Sequence, residues 1–273
     1  MRDTAPLPTT AVTTLAGVEI SYVDTGGEGQ ALLLINGSGG NLQMLAPLID
    51  RLSASRRVLA FDQPGMGGSP AVYPTLGVPA VSELCRALLD RRGVQAADVI
   101  GYSFGGAVAQ QLALTRPRRV RNLVLVASVV GLGGLPTDPL TAAAVALHQI
   151  PSPTPRITRA IARHGYGGSV RRDTVALKRL ERAWFTAPAD PISFFGQAVA
   201  VASWSSLPWL WALQAPTLVI TGDDDSVVPM LNAFTLALWI PRARLAVVRG
   251  GGHLLPIDQP EDLARLVENF LDR

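Results

Sequence analysis

The sequence predicts an α/β protein with a mostly parallel central sheet, covered by helices on both faces. Short apolar runs alternate with amphipathic helical patterns along most of the 273 residues, as they do in sheets of this kind. A Gly-x-Ser-x-Gly pentapeptide follows one of the runs and opens a helix. Residues 131–211 carry helical patterns without a strand pattern, so we expect a mostly helical cap inserted in the sheet domain.

The first half of the chain supplies strands separated by helices. Val12–Thr14 and Val18–Asp24 predict two short antiparallel strands after a loose arm at Met1–Thr10. Ala31–Ile35 and Arg57–Phe61 are apolar runs, typical of strands buried on both faces. The helices predicted here span Leu42–Leu52 and Val78–Arg92.

The second half divides into cap and core. A strand is predicted at Val120–Ala127. The four cap helices are expected at Leu140–Gln149, Arg156–His164, Arg172–Phe185 and Ile192–Ser203. The sheet resumes with strands at Thr217–Thr221 and Leu245–Val248 and helices at Pro229–Trp239 and Glu261–Leu271. We therefore expect a core of residues 1–130 and 212–273, with residues 131–211 as the cap.

Composition excludes several functional classes. The chain is 48% hydrophobic and 16% charged, enough apolar residues for a large core. A net charge of +3 is too small to indicate nucleic-acid binding. The single cysteine, Cys85, rules out an internal disulfide. No metal-ligand spacing or dinucleotide fingerprint occurs, so we expect neither a metal nor another cofactor. Met1–Thr10 lacks a signal-peptide pattern and no apolar run is long enough to span a membrane, which predicts a cytoplasmic protein.

The pentapeptide predicts a nucleophile. The four residues from Val99 to Tyr102 end a buried strand pattern, Ser103 follows at once, and Phe104–Leu114 has a helical pattern. A chain that turns from strand to helix in so few residues needs glycine on both sides of the serine, as at Gly101 and Gly105. Ser103 is therefore expected on a sharp turn, with its hydroxyl exposed above a helix N-terminus.

A serine hydroxyl needs a base, and the base needs a carboxylate that orients it. His253 follows a strand and three glycines, whereas His148 and His164 lie in cap helices. Reacting groups collect at the carboxyl ends of strands in open α/β sheets, so His253 is the predicted base. Asp225, after the strand Thr217–Thr221, is the predicted carboxylate, with Asp224 as the alternative.

The developing oxyanion needs two backbone donors. We expect one from the amide of Phe104, at the helix N-terminus, and the other from the turn after Ala31–Ile35. In that turn Ser38 is the predicted donor and Gly37 the alternative. Asn36, Gly37 and Tyr102 are the residues expected to bind substrate, although Asn36 could instead brace the turn.

These residues belong to a wider resemblance. The matching stretches are NGSGGNL at 36–42, FDQPGMGGS at 61–69, GGAVAQQ at 105–111, PTLVITGDDD at 216–225, WIP at 239–241 and GHL at 252–254. With them the chain resembles the α/β-hydrolase superfamily, most of all the intracellular medium-chain-length polyhydroxyalkanoate depolymerases and related serine esterases. The resemblance implies the α/β-hydrolase fold, the triad Ser103, Asp225 and His253, and hydrolysis of 3-hydroxyacyl esters, polymers included.

The cap predicts an apolar substrate. Aromatic residues concentrate there: Trp184, Phe185, Phe194, Phe195, Trp204, Trp209 and Trp211. Those that line a pocket above Ser103 would favour an apolar acyl chain, and an exposed group could dock a lipid-like granule or a partner chain. Eight basic residues between Arg156 and Arg182 could attract an anion, but a solvated helical face explains them better.

Three functions remain open at this stage. The first is an esterase that forms an acyl-enzyme on Ser103, and the second uses the same triad for acyl transfer, cyclisation or perhydrolysis. A non-catalytic binding module is the third. The expected partner is a small or polymeric ester with an apolar acyl part, and the sequence does not specify an oligomeric state.

Overall fold

A computed structural model describes residues 9–148 and 155–273. Residues 1–8, most of the predicted N-terminal arm, lie outside the described residues, as do residues 149–154, where the first predicted cap helix was expected to end. The strands within the described residues are β1 (Ala11–Leu15), β2 (Val18–Asp24), β3 (Ala31–Ile35), β4 (Arg57–Phe61), β5 (Ala97–Tyr102), β6 (Val120–Val126), β7 (Thr217–Gly222) and β8 (Ala243–Val248).

The strands form one sheet in the order β1-β2-β4-β3-β5-β6-β7-β8. The pairs from β4 to β8 are parallel, while β1 and β2 run antiparallel at one edge. The mostly parallel sheet predicted from the sequence is thus confirmed. Because β3 and β5 are central neighbours, the turn that follows β3 and the serine that follows β5 meet at the same end of the sheet.

Helices cover both faces of this sheet. They are α1 (Leu42–Ser53), α2 (Val78–Arg91), α3 (Phe104–Thr115), α4 (Pro139–His148), α5 (Pro155–Gly165), α6 (Thr174–Thr186), α7 (Pro191–Ala202), α8 (Leu231–Trp239), α9 (Leu255–Asp258) and α10 (Pro260–Leu271). Helices α2, α3 and α8 pack on one face, and α1, α9 and α10 pack on the other.

The central strand β3 shows why its sequence is a continuous apolar run. Leu33 and Ile35 pack into the core on the α2–α3 face, whereas Leu32 and Leu34 pack into the core on the α1–α10 face. Successive side chains of a strand point to opposite faces, so burial on both sides requires apolar residues at every position. All four side chains are fully buried.

The stretch predicted as the cap, residues 131–211, follows β6 and contains α4 to α7; the word cap is used only as a name for these residues. Among its described residues it has no strand, only one isolated bridge between Gly131 and Ser205. A 3-10 helix at Leu207–Ala212 leads back to β7. Helix α6 packs on α1, and α7 packs beside α2 and α3. No described helix is long and apolar enough to cross a bilayer.

Some element limits differ from the sequence predictions. Helix α8 begins at Leu231 rather than Pro229, because Pro229 and Met230 form a turn whose carbonyls accept from Asn232 and Ala233. Strand β8 begins at Ala243, two residues before the predicted start, since an exposed edge strand tolerates Arg244 without losing its pairing to β7. The short helix α9 is not predicted at all.

Candidate active site

Ser103 sits on a strained turn between β5 and α3. Its φ is 52° and its ψ is −119°, a region that costs free energy for a residue with a side chain. A methyl group on Gly101 would collide with the backbone of Gly105 and Gly106, and one on Gly105 would collide with the end of β3. The two glycines of the pentapeptide therefore allow strand, serine and helix to pack this closely.

Three side chains from three loops form a hydrogen-bonded line. His253 Nε2 lies 3.1 Å from Ser103 Oγ, and His253 Nδ1 lies 3.0 Å from Asp225 Oδ2. The Asp225 side chain is fully buried and that of His253 is 6% exposed. The structure thus brings the predicted nucleophile, base and carboxylate together.

The loop after β7 separates its three aspartates. Asp225 Oδ1 accepts from the N–H groups of Val227 and Val228 at 2.9 and 2.8 Å, which leaves Oδ2 for His253. Asp224 instead accepts from the Gly168 N–H, and Asp223 accepts from the Gly250 N–H. Asp225, and not the alternative Asp224, is the carboxylate in contact with the histidine.

The other two histidines lie elsewhere. His164 is exposed on α5, where its Nδ1 contacts the Ala160 carbonyl at 2.7 Å. His148 ends α4, and its side chain lies outside the described part of the chain. His253 is held from the cap, because its backbone N–H donates to the Tyr166 carbonyl at 2.8 Å.

The two predicted oxyanion donors face one cavity. Ser38 and Phe104 both line the space that also contains Ser103. Phe104 is the first residue of α3, so its N–H has no acceptor within the helix. The Gly37 N–H already donates to Asn36 Oδ1 at 2.9 Å, which favours Ser38 over Gly37 as the second donor.

Two of the three residues expected at the substrate line this cavity. Gly37 lies on its wall, as does Tyr102, whose ring is 5.4 Å from that of His253 between centroids. Burial raises the pKa of Tyr102 well above its usual value, so its phenol is neutral. Asn36 is not on the wall: it is buried, and its Nδ2 donates to the Asn41 carbonyl. Asn36 therefore braces the turn, the other role considered for it.

The cavity is apolar. It measures about 260 Å³ and is bounded by cap and core. Its apolar wall includes Met44, Val145, Trp184, Phe194, Val201 and Leu254. Within the described chain no Arg, Lys, Asp or Glu lines it. Two of the basic cap residues are paired with carboxylates: Arg159 with Glu181 and Arg171 with Asp224. The described residues also contain no cluster of metal-binding side chains.

Asp258 is a supporting residue that the sequence did not indicate. Its half-buried carboxylate accepts from the N–H groups of Ser169, Val170 and Gly252. It thereby joins the cap turn to the loop of His253, and burial raises the pKa of its carboxyl. A single aspartate in a C-terminal segment carries no sequence signal, because its partners lie 88 and 89 positions away in the cap.

Comparison with known proteins agrees with this architecture. A family profile described as alpha/beta hydrolase fold matches residues 30–260. The chain is 36% identical to a poly(3-hydroxyalkanoate) depolymerase of Ectopseudomonas oleovorans, over 89% of this chain and 84% of that one. It is 33% identical to a 2-hydroxymuconate semialdehyde hydrolase of Pseudomonas putida, over 90% and 88%. A meta-cleavage product hydrolase of Pseudomonas fluorescens IP01 superposes with a TM-score of 0.79 at 27% identity, covering 96% and 97%.

Proposed function

The chain belongs to the α/β-hydrolase family, and we propose that it is a serine hydrolase that cleaves carboxylic esters through an acyl-enzyme on Ser103. The observation that carries this proposal is the hydrogen-bonded line from Asp225 through His253 to Ser103 Oγ. A hydroxyl becomes a useful nucleophile when a base accepts its proton and a carboxylate orients that base. The line supplies both.

Acylation follows from these contacts. Ser103 Oγ attacks the ester carbonyl while its proton passes to His253 Nε2. Asp225 Oδ2 accepts from Nδ1 of the ring, which holds the tautomer and stabilises the imidazolium that forms. The N–H groups of Phe104 and Ser38 are proposed to donate to the oxyanion. Collapse of the tetrahedral intermediate expels the alkoxide, which takes the proton from Nε2.

Deacylation repeats these steps with water. His253 removes a proton from a water molecule, whose oxygen attacks the acyl carbon and displaces Ser103 Oγ. The products are a carboxylic acid and the regenerated serine. Because the same acyl-enzyme could pass to an alcohol or to peroxide, acyl transfer and perhydrolysis remain the alternatives, and the acceptor must be tested directly.

The cavity supports an apolar acyl group as the substrate part. A charged substrate buried there would have no opposite charge on the wall formed by the described residues, which is costly. This argues against an anionic substrate such as the semialdehyde named for the Pseudomonas putida relative. The name of the depolymerase relative points to 3-hydroxyacyl esters, which we assign as the substrate class.

A p-nitrophenyl ester series from acetyl to long acyl chains tests the proposal. Wild type should turn over the series best at medium or long chains. Ser103→Ala should lose about 10⁴-fold or more in kcat, while Ser55→Ala, an exposed serine at the opposite end of the sheet, should not differ from wild type. A Ser103→Ala enzyme that keeps a hundredth of the activity would contradict the assignment.

The same reactions distinguish the alternatives. Added methanol or hydrogen peroxide should leave the free acid as the main product of a hydrolase, whereas predominant methyl ester or peracid would indicate transfer. A wild type that neither turns over any ester nor reacts with a fluorophosphonate at Ser103 would indicate a binding module.

A further inference from the structure

The turn that carries the proposed oxyanion donor is held by a side chain from another loop. Gln63 follows β4 and is fully buried. Its Nε2 donates to the Asn36 carbonyl at 2.7 Å. The N–H of the same peptide unit, that of Gly37, donates to Asn36 Oδ1. Both polar ends of the peptide between Asn36 and Gly37 are therefore occupied, and Gln63 occupies one of them.

This peptide needs to be held because of the residue that follows it. A Cβ atom on Gly37 would lie 3.0 Å from the Tyr102 ring and 3.0 Å from Ser103 Cβ, so a side chain there would require Tyr102 or Ser103 to shift. Glycine also leaves the backbone more free to rotate than any other residue. The N–H of Ser38 comes directly after Gly37, and its direction depends on how firmly the preceding peptide is fixed.

Gln63 is in turn held from the cap. Its Oε1 accepts from Gln197 Nε2 at 2.8 Å. Gln197 is buried on α7, the helix that places Phe194, Ala198 and Val201 on the cavity wall. The helix that contacts the acyl site thus also holds the side chain that fixes the turn.

We propose that Gln63 is a positioning residue for the Ser38 oxyanion donor and that Gln197 couples this position to the cap. The inference rests on the proposed function, because it concerns a donor that acts when charge develops on the carbonyl oxygen. Such donors accelerate a reaction only when they are fixed in advance. Loss of the hydrogen bond from Gln63 to the Asn36 carbonyl should therefore weaken binding of the transition state and leave ground-state binding of the ester nearly unchanged.

Replacement of each amide by methionine, which has a similar shape, tests the proposal. Gln63→Met should lower kcat about 10- to 100-fold, less than or similar to the loss of one donor, and change KM by less than about twofold. Affinity for a trifluoromethyl ketone, which forms a tetrahedral oxyanion on Ser103, should fall in the same proportion. Gln197→Met should cost about 3- to 10-fold in kcat, and the double variant should be no worse than Gln63→Met, because the two act in series.

Asn232→Leu is the matched control. Asn232 is another buried amide that ties the insertion to the core, through both backbone groups of Leu135, but it does not contact the turn. It should lower the melting temperature and keep wild-type kcat. If Gln63→Met does not fold, Gln197→Met tests the proposal in its place. It removes Gln197 Oε1, a buried acceptor without a partner among the described residues, but it leaves Gln63 Oε1 without its donor, so we expect a modest loss in the free energy of unfolding.

The outcomes are distinct. Three results would overturn the positioning role while the esterase activity stands. The first is a folded Gln63→Met with wild-type kcat, and the second is an equal loss of kcat in Asn232→Leu. The third is a double variant whose loss of kcat is the product of the two single losses. If wild type neither hydrolyses esters nor is labelled at Ser103 by a fluorophosphonate, the proposed function fails and the positioning role falls with it.

Discussion

Replacing Asp225 with asparagine should prevent His253 from acting as the catalytic base, while the loop around Asp225 stays in place. One side-chain oxygen can still accept from Val227 and Val228. The amide nitrogen would then face His253 Nδ1, and a donor cannot bind an N–H. The ring would move its proton to Nε2, toward Ser103, where it cannot accept the hydroxyl proton. We expect kcat to fall about 10⁴-fold, or about 5 kcal/mol of transition-state stabilisation.

The neighbouring aspartate provides the control for this change. Asp224→Asn makes the same substitution one residue away, at a side chain that contacts Gly168 and Arg171. Its kcat should stay within about threefold of wild type. Burst kinetics with a p-nitrophenyl ester, alongside urea unfolding, would separate catalysis from stability. The reasoning is refuted if Asp225→Asn keeps a tenth of wild-type kcat, or if Asp224→Asn loses as much.

Two further predictions concern the cavity and a buried carboxyl. Ala198 lies on the cavity wall, so Ala198→Trp should lower kcat/KM for the longest p-nitrophenyl ester at least about tenfold and leave kcat/KM for the acetyl ester unchanged. As the control, Ala202→Trp, at an exposed position of α7, should change kcat/KM for neither ester. Burial raises the pKa of Asp62 to about 6, so the folded state holds this proton more tightly than the unfolded state and loses stability as the pH rises from about 4 to 6. Asp62→Asn lacks this proton, so between pH 4 and 7 its free energy of unfolding should rise relative to that of wild type by up to about 3 kcal/mol. If urea unfolding gives the same difference between the two proteins at every pH, the prediction is wrong.

The sheet was predictable where local sequence alone determines burial. Ala31–Ile35 and Arg57–Phe61 are strands with the predicted limits, because each is a buried apolar run closed by a loop. The predicted element limits were wrong where tertiary contacts decide them. The edge strand β8 extends over Arg244, and α9 forms in a segment whose leucine and isoleucine pack under the cap.

The candidate site divides in the same way. Ser103, Asp225 and His253 each follow a strand, so their meeting at one end of the sheet follows from chain order and the fold class. Gln63 also follows a strand, but its sequence position does not indicate what it holds, and Gln197 lies in a cap helix. They are 134 positions apart, and neither shows a role until α7 packs over the turn after β3. The side chains that react were therefore predictable from local motifs, whereas those that hold them depend on the packing of the cap.

These supports make the cap part of the site. On one side, the Tyr166 carbonyl accepts the His253 N–H, and Asp258 binds both the cap turn and Gly252. On the other side, α7 holds the turn of the proposed oxyanion donor through Gln197 and Gln63. A cap that lifted away as one body would break both sets of hydrogen bonds and leave buried polar groups unpaired. Because that opening is costly, we expect substrate to enter while the contacts at Tyr166 and Gln197 stay in place.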